Sequence, residues 1–195
     1  MMQSVELFYD FRSPYSYLAA TQLLKMEIGV AFRPMKILTV MERVGNVPTT
    51  LTCAAKGRYA RMDLARWAGR YGIVLDPSDM HANDGDALSR AVIAAAPADR
   101  AAVTLALYRA IWSEKKTIGD AVAAVAALDN ENIDTGAIKA RIDAAETIDR
   151  LDANTDEAVA RGVFGSPTIF VGDTMFFGND RLDFVREALA FEEAA

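Results

Sequence analysis

The 195-residue chain is 52% hydrophobic and 25% charged, the balance of a well-packed globular protein and not of a disordered one. Its net charge of −6, without a basic stripe, argues against a nucleic-acid partner, because phosphate binding rests on clustered Lys and Arg. A single cysteine, Cys53, and a single histidine, His81, exclude an internal disulfide, a Cys-x-x-Cys redox pair and a histidine-cluster metal site.

Val5–Tyr9, rich in Val, Leu and aromatic residues, predicts a short strand. It runs straight into Ser13-Pro14-Tyr15-Ser16 and the apolar Tyr17-Leu18-Ala19-Ala20. Pro14 suits the first turn of a helix, where its missing N–H costs nothing, and Ser13 then sits at the cap. Leu18, Leu23, Leu24 and Met26 supply that helix's apolar face. Val30–Pro34 reads as a second strand after the Gly29 turn, so the two strands should be parallel with a right-handed crossover.

From about Ala54 to Ala145 the chain is alanine-rich, with helical spacing and almost no strand signal. Gly57–Tyr71 predicts a helix ending at Gly72, and Asp86–Ala96 and Asp99–Ser113 predict two more flanking Pro97. The last of these sets Val103, Leu107 and Ile111 four residues apart. Thr117-Ile118-Gly119-Asp120 resembles a capping box opening a helix to Leu128, and Asp134–Ala145 makes another short helix. After a helix over Thr147–Arg161, strands return at Thr168–Val171 and Thr174–Phe177, separated by the two-residue hairpin signal Gly172-Asp173. Asn179 then caps a final helix, Arg181–Phe191, with Asp180 and Asp183 in its first turn, where the helix dipole favours acids. This order describes an α/β thioredoxin-like fold interrupted by an all-helical insertion. A discontinuous thioredoxin-like domain over 1–45 and 146–195 is expected, with the helical domain over 46–145. Glu6 and Asp10 interrupt the start too early for a signal peptide. The longest apolar run, Ala121–Leu128, is too short to span a bilayer. A cytoplasmic protein without membrane partners is expected.

The chemistry is expected at the head of the first helix. A helix N-terminus stabilises an anion, and in redox folds of this kind the anion is a cysteine thiolate. Here Ser-Pro-x-Ser stands where Cys-x-x-Cys would, so a thiolate handled at this site must belong to a bound small molecule. Two further segments converge on it if the fold is right. One is Gly165-Ser166-Pro167-Thr168, where a cis proline would leave the preceding backbone free to pair with an extended peptide. The other is Phe177-Gly178-Asn179-Asp180, whose N–H groups and carboxylate can hold the carboxylate and amine of a γ-glutamyl group.

Asp10-Phe11-Arg12-Ser13-Pro14-Tyr15-Ser16-Tyr17-Leu18-Ala19 resembles the start of the 2-hydroxychromene-2-carboxylate isomerases. These are relatives of the kappa-class glutathione transferases in the DsbA-like superfamily. Gly162-Val163-Phe164-Gly165-Ser166-Pro167-Thr168 and Phe177-Gly178-Asn179-Asp180-Arg181-Leu182 are similar to that family's two C-terminal motifs. Gly45-Asn46 and Lys56-Gly57-x-Tyr59 resemble its glutathione-contact segment. The resemblance spans essentially the whole chain. Two positions depart from the family pattern: Ser166 replaces a bulkier apolar residue, and Arg12 a commonly aliphatic one.

The resemblance implies glutathione as cofactor and Ser13 as the catalytic residue, hydrogen-bonding the glutathione sulfur. It implies that Asn46 and Lys56 hold the glycine or cysteinyl part, and that Ser166 offers backbone groups beside cis-Pro167. Asn179 and Asp180 would take the γ-glutamyl end. The implied reaction interconverts 2-hydroxychromene-2-carboxylate and trans-o-hydroxybenzylidenepyruvate, in aromatic-hydrocarbon catabolism, with glutathione thiolate as nucleophile. The rival readings are a kappa-like glutathione transferase or peroxidase and a non-catalytic glutathione-binding protein. A small aromatic substrate and a homodimer are also implied.

Plainer readings compete at each position. Ser13 before Pro14 is also an ordinary helix cap, and Ser16 is read as packing or bonding locally. Cys53 reads as a small buried hydrophobe and His81 as an exposed loop residue. Tyr59, Trp67, Tyr71 and Trp112 read as helix core, and Asp63 with Arg66 as a surface pair. Arg12 and Lys36 read as surface charges ahead of a role on the substrate carboxylate. The lone histidine has no GxSxG companion, so a serine triad is unsupported.

Overall fold

The computed structural model describes residues 5–129 and 131–193. The chain runs β1 (Val5–Tyr9), α1 (Pro14–Leu24), β2 (Val30–Pro34), α2 (Ile37–Arg43), α3 (Thr49–Thr52) and α4 (Ala54–Tyr71). It continues with α5 (Gly85–Ala94), α6 (Arg100–Trp112), α7 (Ala121–Ala126), α8 (Thr135–Arg141) and α9 (Ala145–Ala160). It closes with β3 (Thr168–Val171), β4 (Thr174–Phe177) and α10 (Leu182–Glu193). Short 3-10 turns lie at Met80–Ala82 and Asn179–Arg181.

The four strands form one sheet in the order β2-β1-β3-β4. β2 runs parallel to β1, with Tyr9 opposite Pro34, and β3 runs antiparallel to β1, with Phe8 opposite Thr168. That antiparallel pairing positions the segments expected to converge. The loop leaving β1 and the segment entering β3 are brought to the same end of the sheet, although some 150 residues separate them in sequence.

The central strands β1 and β3 are buried on both faces, and strand alternation sorts their residues. Val5, Leu7, Tyr9, Ile169 and Val171 point into the larger core, which they share with Leu88 and Val92 of α5 and Leu107 and Ile111 of α6. Phe8 and Phe170 point the other way, onto Met35, Ile37, Val40, Ala158 and Val163. Their rings meet edge to face at 5.7 Å, and the Arg161 guanidinium covers Phe170 at 3.7 Å. The larger core therefore joins the sheet to helices from the middle of the chain.

All four strands fall at their predicted limits, the β1–β2 pair is parallel, and Gly172-Asp173 turns the β3–β4 hairpin. Gly72, at φ +70°, ends α4 as predicted. The capping box is different. Asp120, not Thr117, caps α7 by accepting from the Ala123 N–H at 2.8 Å. The Ile118 N–H is instead taken by Asn83 at 2.7 Å, which draws 117–119 out of the helix. Asn179 does not cap the last helix: it lies within the 3-10 turn and its side chain is buried. α2 and α3 were not anticipated. α2 buries only Ile37 and Val40, and α3 buries nothing, so neither leaves a usable period. Among the described residues no helix is long and apolar enough to cross a membrane, and no group of His, Cys, Asp and Glu could hold a metal.

Candidate active site

The loop between β1 and α1 is held from inside by α6. The Tyr108 hydroxyl donates to the Asp10 carbonyl and the Trp112 indole N–H to the Phe11 carbonyl, both at 2.9 Å. Tyr9 reaches Thr104 on the same helix at 2.8 Å. The Asp10 carboxylate, 1% exposed, accepts from the Arg12 N–H, the Ile37 N–H and the Arg12 guanidinium at 2.8–2.9 Å. Burial pushes its carboxyl above the usual range, and Arg12 opposes that rise. With its backbone held at Asp10 and Phe11, the loop delivers Ser13 to the head of α1 in one orientation.

Ser13 is a true N-cap: its Oγ accepts from the Ser16 N–H at 3.2 Å. The same hydroxyl donates to the Ser166 carbonyl at 2.9 Å, directly beside the cis Ser166–Pro167 bond. Capping and donation coexist, because a hydroxyl accepts through its lone pairs while donating its single hydrogen. Two more bonds join the remaining segments. Asn46 Nδ2 donates to the Phe164 carbonyl at 2.7 Å, and the Gly178 N–H donates to the Pro167 carbonyl at 3.0 Å. The three motifs and the Gly45-Asn46 segment thus form one connected surface around Ser13. Gly165 is required there, since a Cβ would stand 2.4 Å from the Phe177 ring.

Between α1 and the α3–α4 segment, with Tyr15 two residues on from Ser13 in its wall, lies a cleft of about 480 Å³ lined by Tyr15, Thr50, Ala55, Lys56, Tyr59 and Ala60. That volume falls within the ~300–1,000 Å³ of ordinary small-molecule sites. Lys56 is exposed at its edge and makes no ion pair among the described residues. The Tyr15 hydroxyl donates to Asp63 at 2.9 Å, and burial followed by that bond pushes its phenol well above the usual range. Tyr15 is therefore neutral, its proton committed to Asp63. Asp180 stands half exposed at the head of the last helical segment, paired at 2.5 Å with Arg181. Gly178, at φ +102°, sets its place, since a Cβ there would meet Asp180 Oδ1 at 2.6 Å.

Several expectations need correction. Asn179 is buried, its Nδ2 lacks a partner among the described residues, and its carbonyl accepts from Tyr71 at 3.3 Å. The exposed polar group at this helix start is Asp180. Tyr59 is exposed, not core, because α4 buries only Ala68. Asp63 bonds Tyr15 and not Arg66. Cys53 is half-buried at the N-cap position of α4, not sunk in the core. Arg12 and Lys36 face three carboxylates, Asp10, Asp86 and Asp152, so their charge is already compensated. Trp112 in the core and His81 at the surface match their readings. Ser16 is buried as packing would have it, but its hydroxyl bonds Ser166, 150 residues away, and not a local partner. Tyr15, Asp63 and Thr50 were not singled out for the site. The position of Tyr15, two residues after Ser13 on the same helix turn, was the available signal.

The DSBA-like thioredoxin domain model matches residues 4–190. A 2-hydroxychromene-2-carboxylate isomerase of Pseudomonas putida is 32% identical over 196 residues, covering 95% of this chain and 93% of the relative. Glutathione S-transferase kappa 2 of Caenorhabditis elegans is 25% identical, covering 95% and 91%. A solved structure of 2-hydroxychromene-2-carboxylate isomerase superposes with a TM-score of 0.86 at 30% identity, covering 96% of this chain and 94% of that one. With sequence, fold and the convergence on Ser13 in agreement, the chain belongs to the 2-hydroxychromene-2-carboxylate isomerases, a family of isomerases built on the DSBA-like thioredoxin domain.

Proposed function

We propose that this isomerase depends on glutathione and interconverts 2-hydroxychromene-2-carboxylate and trans-o-hydroxybenzylidenepyruvate. The observation that carries the reading is Ser13. It places a hydroxyl at a helix head, its hydrogen held by the Ser166 carbonyl and able to turn to a bound anion, where neither residue 13 nor residue 16 is a thiol. Such a site is equipped to stabilise a thiolate that it does not own. Bound glutathione would supply that thiol as the nucleophile. The described residues suit a γ-glutamyl peptide: a donor at Ser13, backbone groups of Ser166 beside Pro167, and an unpaired ammonium at Lys56. Asn46 lies on the same surface, and the exposed carboxylate of Asp180 matches a γ-glutamyl ammonium. Buried Asn179 contributes here through backbone and packing.

The energetics support the assignment. Lowering a thiol pKa by about two units takes ~2.7 kcal/mol of preferential stabilisation of the charged form. A helix N-terminus contributes ~0.3–1 kcal/mol when exposed and up to ~2 when partly buried. The Ser13 hydroxyl adds ~1.5–3 kcal/mol as a donor to a charged acceptor. Its one hydrogen is held by the Ser166 carbonyl, so turning it to a sulfur gives up ~0.5–1.5 kcal/mol of that gain. The helix head and the serine are therefore both needed to reach the shift. Tyr15 and Tyr59 give the cleft aromatic walls for a flat substrate, and Tyr15 keeps its proton on Asp63.

The kappa-class similarity keeps a transferase or peroxidase as the second reading, since the same groove would serve it. The test is titration calorimetry with reduced glutathione, followed by turnover of the chromene substrate with and without glutathione. Turnover of 1-chloro-2,4-dinitrobenzene and cumene hydroperoxide is measured in parallel. No binding heat at millimolar glutathione would remove the reading. Binding with turnover of the latter substrates alone would favour the transferase, and binding without any turnover a carrier protein. A homodimer is part of the same proposal, supported by the exposed apolar residues Leu51, Tyr59 and Met62 on α3 and α4. Sedimentation of the native protein tests it.

A further inference from the structure

Helices α6, α8 and α9 all pack against α5, and each brings an arginine to it. Arg90 of α5 pairs at 3.2 Å with Asp143, in the turn between α8 and α9, which holds Arg141 and that turn against the helix. One turn further along α5, the Ile93 carbonyl accepts from Arg100 of α6 at 3.4 Å, a long bond. Burial first, then the charges of Arg150, Arg141 and Arg33, holds the Arg100 guanidinium below the usual arginine range, with Tyr9 opposing them. Arg33 is spent on Glu6 and Glu157, but the others have no such partner. Asp99, Glu146 and Asp149 lie close in sequence. Yet no carboxylate among the described residues comes within ion-pair distance of Arg100, Arg141 or Arg150. The Nε atoms of Arg90 and Arg100 are buried and also unpaired among the described residues. Converging like charges and unpaired buried donors both cost stability, so this group lacks its counter-charge.

We infer that Arg100, Arg141 and Arg150 form a binding site for the phosphate group of a small molecule, whose oxyanion supplies the missing counter-charge. Guanidinium forks match the oxygens of such a group two at a time, which an ammonium does not. A phosphate carries more than one negative charge near pH 7, so it answers three cations better than a single carboxylate does. The chain as a whole carries −6, so an anion is drawn here by this cluster and not by the net field. The site is separate from the Ser13 groove. Gly85 at the head of α5 lies under the Arg12 guanidinium, next to Ser13, and Ile93 is about 12 Å further along the helix. The inference is independent of the proposed glutathione dependence.

The test titrates the native protein with inorganic phosphate, by calorimetry and thermal melting, against sodium chloride of matched ionic strength. Adenosine monophosphate and benzoate are run beside it, as a phosphate ester and a singly charged carboxylate. Phosphate should bind saturably and raise the melting temperature, and benzoate should do neither. An ester that binds more tightly than phosphate supports an esterified ligand, and one that binds no better supports the free ion. Arg100→Gln and Arg150→Gln should each weaken phosphate ~10- to 100-fold, the loss of a charge-assisted bond. Arg150→Glu should abolish phosphate binding. In chloride alone it should melt above the native protein, because a carboxylate then faces Arg100. Should Arg100→Gln fail to fold, the two changes at exposed Arg150 decide the matter. Any of four results overturns the site: no saturable phosphate binding by the native protein, native-like binding by the Arg150 variants, benzoate bound as tightly as phosphate, or Arg150→Glu melting below the native protein.

Discussion

Replacing Ser13 by Ala separates the two jobs that its hydroxyl performs. As a cap it satisfies the Ser16 N–H, and losing that costs about 1 kcal/mol. As a donor it satisfies the Ser166 carbonyl, worth ~0.5–1.5 kcal/mol net. The stability loss is then about 1.5–2.5 kcal/mol, or roughly 3–10 °C in Tm for a chain of this size. The effect on a bound thiol is separate and larger in consequence. Loss of a donor to a charged sulfur removes ~1.5–3 kcal/mol, which raises the thiol pKa by about one to two units. Turnover should fall ~10²-fold, the usual loss for a donor aimed at a reactive anion. The α1 terminus persists in the variant, so a minor part of the thiolate stabilisation remains. The assay titrates the glutathione complex by thiolate absorbance from acid to alkaline pH and measures turnover and thermal melting on the same samples. If the melting point drops as calculated while thiol pKa and turnover hold, Ser13 is only a cap and the mechanism is wrong.

Asp180→Asn should weaken glutathione binding roughly five- to thirty-fold, about 1–2 kcal/mol after discounting for the exposure of this carboxylate, as titration calorimetry will read. Arg12→Leu removes the guanidinium that opposes the rise in the Asp10 carboxyl. The folded-state pKa, already above the unfolded ~3.9, then climbs further. An acid whose folded pKa is raised contributes stability at low pH and loses it as pH rises through that window. The variant should therefore lose more stability, relative to the native protein, at about pH 7 than at about pH 4. Its loss should stay below the ~3–5 kcal/mol of a fully buried pair, because Arg12 is 36% exposed. An equal loss at both values, in paired denaturant titrations, would contradict this account of Asp10. Gly165→Ala drives a methyl into the Phe177 ring, itself packed on Phe164 at 4.6 Å, and should cost ~1–3 kcal/mol by thermal melting. Unchanged melting would mean that Phe177 swings aside freely.

The local features of this protein were legible in its sequence because each is decided within a few residues. The runs Val5–Tyr9, Thr168–Val171 and Thr174–Phe177 fix their own strands through branched and aromatic content. Gly172-Asp173 fixes the hairpin, and Ser13 before Pro14 fixes the start of α1. The order of these elements was enough to indicate the sheet, and the absence of cysteine at positions 13 and 16 is what motivates the proposal of a borrowed sulfur. Asn179 shows where such reading stops. Its side chain looked like a cap, yet packing buried it and left Asp180 as the exposed group. Thr117 was likewise displaced as a cap when Asn83, 35 residues away in the Ile118 bond, claimed the backbone. The bonds that build the site join residues far apart in sequence: Ser13 to Ser166, Ser16 to Ser166, Tyr15 to Asp63 and Asn46 to Phe164. No periodicity or local propensity encodes which distant carbonyl a hydroxyl will meet. The antiparallel pairing of β1 with β3 decides it, by carrying the Ser166 segment to the head of α1.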